Sequence, residues 1–120
     1  MLTTRETGIL GEETAAQSLE KSGYIVRERN VRFGKFEIDI VAFDPVQKMI
    51  VFVEVKTRTQ YSDAYPIHSA MHYRKRRSMR KAIARWVMEH QYDGPARTDV
   101  ISVSSGRVVE HLKDLGSEFY

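Results

Sequence analysis

Cysteine is absent from the 120 residues of this chain, which excludes disulfides and thiol chemistry. A cytoplasmic location fits that absence. Long hydrophobic runs are absent too. No segment approaches the roughly 18 apolar residues of a membrane helix, so no membrane partner is expected. The opening stretch MLTTRETGILGEE carries charge early and no sustained apolar run, unlike a secretory leader. Phosphate-cradling and dinucleotide glycine motifs and the G-x-S-x-G elbow are all missing. ATP hydrolysis, dinucleotide binding and serine hydrolase chemistry therefore have no local support. His68, His72, His90 and His111 show no zinc spacing with partners. Acidic residues are missing from one long segment, Arg74 to Arg85, although the formal charge of the whole chain is only +3. That unevenness matters more than the total.

The length suits a single domain, 1–120, with a modest core. Phe36 to Arg58, FEIDIVAFDPVQKMIVFVEVKTR, reads as a β-hairpin. Its strands span about Phe36 to Phe43 and Met49 to Lys56, with Asp44 to Lys48 as the turn. Side chains alternate faces along a strand. Glu37, Asp39, Val41 and Phe43 share one face, as do Ile50, Phe52, Glu54 and Lys56. Symmetric pairing about the turn sets Asp39 nearly opposite Glu54, and directly paired residues have Cβ atoms about 5 Å apart. Two carboxylates that close repel, and burial makes each worse. A cation between them removes the conflict, and Lys56 adds a positive group on the same face. Two acids and a lysine converging from adjacent strands suit a Mg²⁺-dependent phosphodiesterase. The alternative reading makes both acids polar interruptions of an edge hairpin, paired with arginines.

Around this hairpin the pattern predicts further elements. A helix starts near Thr3 or Thr4, with no capping box expected at Thr4, and runs to about Ser22 on Leu10, Ala15, Ala16 and Leu19. Gly8 and Gly11 are costly there unless the backbone packs closely against something. Glu12 either reaches the sheet or lies in solvent near the helix N-terminus. Gly23 ends the helix, and Tyr24 to Val31 forms a first strand. Arg32 to Lys35 reads as a turn. Thr57 to Pro66 reads as a loop, in which Tyr61 and Tyr65 either stack on a base or anchor the chain. A helix follows from about His68 to His90, with Met71, Met79, Ala82, Ile83, Trp86 and Val87 as its apolar stripe. Its other face carries Arg74, Arg76, Arg77, Arg80, Lys81 and Arg85, a density suited to phosphate. Lys75 points inward. Asp99 to Val103 and Arg107 to Leu112 are the last strands, and Leu115 and Phe119 belong to a loose tail.

The order αβββαββ and these residues resemble the YraN family, also called UPF0102, small bacterial proteins similar to archaeal Holliday junction resolvases. The resemblance rests on Gly11-Glu12 with Ala15 and Leu19, on Gly23-Tyr24 and Arg29-Asn30, and on Glu37-Ile38-Asp39. It continues through Val51 to Arg58, Lys75 and Asp99-Val100. It implies a restriction-endonuclease-like α/β fold: a central mixed five-stranded sheet flanked by helices. By that resemblance Asp39, Glu54 and Lys56 fall on a nuclease triad, and Glu12 on an acid that completes the metal site. Phe36 stands where the family usually has glycine, and Thr98 where it commonly has an aromatic.

The expected function is endonucleolytic hydrolysis of DNA phosphodiesters, branched or junction DNA included, with Mg²⁺ or Mn²⁺ as cofactor. Asp39, Glu54, the Val55 carbonyl and Glu12 are the expected metal ligands. Arg58, Arg74, Lys75, Arg77, Lys81 and Arg85 are the expected nucleic-acid contacts. A non-catalytic nucleic-acid-binding protein of the same fold is the alternative. A weak homodimer is expected, because a four-way junction is two-fold symmetric. Trp86 and Phe119 serve either core or interface.

Overall fold

The computed structural model describes residues 2–58 and 70–115, without the side chains of residues 58 and 70–72. The expectations for Tyr61, Tyr65, Pro66, His68, His72, Met71 and Phe119, and for the Arg58 side chain, lie outside the described residues. Among the described residues, two helices and five strands follow in the order expected. They are α1 (Thr4–Lys21), β1 (Ile25–Phe33), β2 (Phe36–Asp44), β3 (Met49–Arg58), α2 (Ala70–Glu89), β4 (Ala96–Ser104) and β5 (Arg107–Leu112). The strands form one sheet in chain order, β1-β2-β3-β4-β5. The β3–β4 pair is parallel and the other three are antiparallel, so the sheet is mixed. Among the described residues, no helix is long and apolar enough to cross a membrane.

Helix α1 is better punctuated than expected. Thr3 caps it, and Thr3 and Glu6 exchange side-chain and backbone hydrogen bonds in a capping box. The motif is T-x-x-E counted from Thr3, which a count from Thr4 misses. The helix ends where Gly23 takes φ +95°. Gly23 N–H donates to the Glu20 carbonyl, and Tyr24 N–H donates to that of Leu19, each at 3.0 Å. This pair of bonds is a Schellman end. Gly11, Ala15, Ala16 and Leu19 form the buried face, whereas Leu10 is exposed.

The sheet is covered on both sides, which explains why β3 reads as an almost unbroken apolar run. On one side α1 packs with Ile40, Ala42, Val51, Val53, Val55 and Ile101. On the other, Met79, Ala82 and Trp86 of α2 pack on Ile38, Val41, Ile50 and Phe52. Trp86 is therefore core. Its ring lies edge-on to Phe52 at 5.3 Å and its Nε1 donates to Glu28.

Two close approaches shape the sheet ends. At one end, Arg97 Nε donates to Asp99 Oδ1 at 3.0 Å, and its Nη1 donates to Asp44 Oδ2 at 2.8 Å and Gln47 Oε1 at 2.7 Å. At the other, Gly11 lies so near β3 that a Cβ added there would meet Thr57 Oγ1 at 2.1 Å. Gly11→Ala gains helix propensity of about 1 kcal/mol but overpacks this contact by about 1–3 kcal/mol. The expected outcome is a net loss of stability in urea titration. Thr57→Ala in the same chain should recover about 1 kcal/mol of it, the signature of a direct contact in a double-mutant cycle.

Candidate functional site

The hairpin register pairs Ile40 with Val53, and Asp39 and Glu54 each lie one residue beyond that last pair. Paired Cα positions of β2 and β3 extend from Asp44↔Met49 only to Ile40↔Val53. Strand β3 continues beside β4 to Arg58↔Ser104. The acids thus stand where β2 and β3 part. There the Val55 N–H donates to Asp39 Oδ2 at 2.8 Å, a side chain taking a ladder donor.

Both acids are buried, Asp39 at 5% exposure and Glu54 at 0%, and Lys56 is buried beside them at 6%. A buried carboxylate needs a compensating charge. Helix α2 provides two. Arg76, 2% exposed, has Nε 3.0 Å from Glu54 Oε1. That contact is an ion pair without hydrogen-bond geometry. Neither Glu54 oxygen accepts a hydrogen bond among the described residues. Burial pushes the Glu54 carboxyl above its ordinary range, opposed by Arg76 and Lys75, while Asp39 pushes it further up. Lys75 Nζ lies 3.6 Å from Asp39 Oδ2 and donates to the Val55 carbonyl at 3.4 Å.

This corrects the reading of α2. Arg76 does not belong to the solvated basic face. It sits three residues before Met79 and ten before Trp86, on the buried stripe itself. The helical period carried that signal, but a run of cations hides one member that turns inward. Arg74 and Arg77 are exposed, as are Arg80, Lys81 and Arg85. Arg85 Nη2 is 3.5 Å from Glu89 Oε1.

Glu12 is half-buried and reaches the same region, so it is not a solvated helix-end acid. Its carboxyl is pushed up to about 7 by burial first, then by Asp39 and Glu37. Lys75 and a hydrogen bond with the Asn30 side chain oppose that rise. Asn30, uninformative as a lone amide in sequence, adopts φ +51° in β1. Asparagine tolerates that conformation better than most residues.

The oxygen donors here are two buried carboxylates, the half-buried Glu12 and the Val55 carbonyl. All are hard ligands of the kind Mg²⁺ or Mn²⁺ takes. Glu54, whose oxygens accept no hydrogen bond among the described residues, has acceptor capacity that fits such an ion. Among the described residues, no group of three His, Cys, Asp or Glu side chains is drawn together to hold a metal. Asp99, by contrast, is fully used. Arg97, His111 Nε2 at 2.8 Å and the Asp114 N–H at 3.0 Å all meet its carboxylate.

Comparison with known proteins identifies the family of the chain. Residues 11–103 match the model of "Uncharacterised protein family UPF0102", and the chain belongs to that family. A UPF0102 protein of Pelobacter propionicus is 41% identical over 113 residues, 90% of this chain and 80% of that one. One from Bacteroides thetaiotaomicron is 38% identical over 112 residues, 91% of this chain and 90% of the relative. A solved structure of Pyrococcus furiosus SfsA in complex with Ca²⁺ aligns with 97% of this chain and 65% of that chain. At 16% identity and a TM-score of 0.41 that likeness is too distant to bear on function.

The raised Glu12 pKa has a defined sign in stability. The unfolded carboxyl titrates near 4.5 and the folded one near 7. Between those values the folded state holds more protons, so stability falls as pH rises. Glu12→Gln should flatten that fall. Melting in EDTA across this window should show the variant gaining on the parent toward neutral pH, by about 1 kcal/mol after allowance for solvent screening.

Proposed function

We propose that this UPF0102 protein is a metal-dependent endonuclease that hydrolyses phosphodiester bonds in DNA, branched DNA included. The observation that carries the reading is the buried Asp39–Glu54 pair, with Lys56 beside it, at the place where β2 and β3 part. Burying two acids together is unfavourable for a purely structural purpose. Asp39, Glu54 and the Val55 carbonyl would hold Mg²⁺ or Mn²⁺, with Glu12 completing the set. A bound ion would supply charge stabilisation at the scissile phosphate. Lys56 holds the attacking water or the phosphoryl oxygens. Water forms the new P–O bond, the bond to the leaving sugar oxygen breaks, and that oxygen takes up a proton. Arg76 keeps Glu54 in place from behind, and Lys75 holds Asp39. Arg58, Arg74, Arg77, Lys81 and Arg85 bind the nucleic-acid backbone.

The Arg76 contact changes which substitutions test this. Truncating Glu54 to alanine strands a buried guanidinium and costs about 3–5 kcal/mol, so lost activity would be ambiguous. Asp39→Asn and Glu54→Gln keep the shape. The parent should cleave a synthetic junction in Mg²⁺ or Mn²⁺ and not in EDTA. Each variant should fall by at least about a hundredfold while melting curves in EDTA show it folded at the assay temperature. Glu54→Gln, which leaves the buried Arg76 charge uncompensated, should melt below the parent. Undiminished cleavage in both would overturn the assignment. Light scattering on the same junction decides the expected weak homodimer, two chains per junction supporting it and one opposing it.

The exposed cations of α2 favour a second reading, a binding protein that does not cut. It requires affinity in EDTA with a steep salt dependence. Neutralising Arg77, Lys81 and Arg85 together should weaken binding at least about tenfold and reduce the salt slope. Unchanged affinity would show that this face is not the nucleic-acid surface.

A further inference from the structure

The exposed cations of α2 are arranged around aromatic rings. Lys35 and Phe36, at the turn into β2, face Arg74, Arg77, Ser78 and Lys81 across a cleft of about 480 Å³. That volume is in the range that holds a small organic ligand. Among the described residues, no carboxylate lines it. Phe36 lines it, half-buried against the α2-side core. The Lys81 and Lys35 ammonium groups lie 5.2 and 5.6 Å from the ring centre. Phe33 pairs with Phe36 across the two-residue turn, and the Arg85 guanidinium lies 5.5 Å from its ring centre. Two neighbouring rings therefore alternate with cations. Phe36 is three residues before Asp39, about 10 Å along an extended strand.

A surface made only to hold phosphate needs the cations and not the rings. Aromatic rings interleaved with cations suit bases stacked between phosphates. In a continuous duplex both faces of each base are covered by its neighbours, so only the backbone reaches such a cleft. An unpaired base exposes a face that can lie on a ring. Cation–π contacts at an exposed site are weak enough for a base to displace them.

We propose that this cleft binds an unpaired nucleotide, its base stacked on Phe36 and its phosphates held by Lys35, Arg74, Arg77 and Lys81. The preferred substrate is then single-stranded nucleic acid or the unpaired part of a branched one. This rests on the reading of the α2 face as a nucleic-acid surface.

Affinity can be measured in EDTA, with no cleavage, for a labelled single strand carrying a fluorescent adenine analogue and for a matched duplex. The parent should favour the single strand and quench the analogue. Phe36→Leu keeps an apolar side chain on the core but removes the ring. It should weaken single-strand binding at least about fivefold, abolish the quenching and leave duplex binding nearly unchanged. Phe36→Trp should restore both signals, and melting curves establish that each variant is folded. Equal losses for the two ligands, or no loss for either, would overturn the stacking site while leaving the nucleic-acid reading standing. A parent that binds neither ligand would overturn both.

Discussion

The arrangement depends on a charge in the wrong place for a core. Glu54 stands in the middle of a buried strand with no exposed surface. An isolated ionised carboxylate there is prohibitive, so a cation must come to it. Arg76 is that cation, and it comes from α2 across the face of the sheet. The pair adds little net stability compared with an apolar substitute, because desolvation opposes the attraction. Its effect is positional. With Arg76 turned inward, Lys75 is directed to Asp39, while Arg74, Arg77 and Lys81 face outward beside Phe36.

Polar groups are buried at both ends of the sheet, and their difference separates structure from chemistry. Around Arg97, the carboxylates of Asp44 and Asp99 and the Tyr24 hydroxyl accept its hydrogen bonds. Burial raises the Asp99 carboxyl, but hydrogen bonds from His111 first, then Arg97 and the Asp114 N–H, hold it below the usual carboxylate range. A fully satisfied network of this kind rigidifies a fold. Around Asp39 and Glu54 the balance is reversed. Burial and like charge raise Glu54 and Glu12, and the Glu54 oxygens retain acceptor capacity among the described residues. Groups with perturbed protonation beside a cationic surface are the usual material of an active site.

Much of this was legible in the chain. The short turn after Phe43 sets the hairpin register, and with it the juxtaposition of Asp39 and Glu54, because a side-chain period of two leaves little freedom once one face is buried. The apolar stripe of α2 likewise placed Met79, Ala82 and Trp86 in the core. The less legible residues are those whose role depends on a partner distant in sequence. Asn30 matters through Glu12 on α1. Glu12 matters through the acids of a sheet lying beneath it. Arg76 was masked by five exposed cations that share its composition and differ only in direction.

Alternation, helical period and capping are local, and adjacent residues suffice to specify them. They determined the seven elements of the described residues, their order and the placing of two acids at the open end of one hairpin. Which charges meet is a matter of distance between elements. It was decided only when the helices docked on opposite faces of the sheet. Gly11 permits α1 to approach Thr57, and the carboxylate of Glu54 calls Arg76 inward. Long-range charge pairing falls steeply with distance and depends on burial, and neither quantity exists until the tertiary structure does.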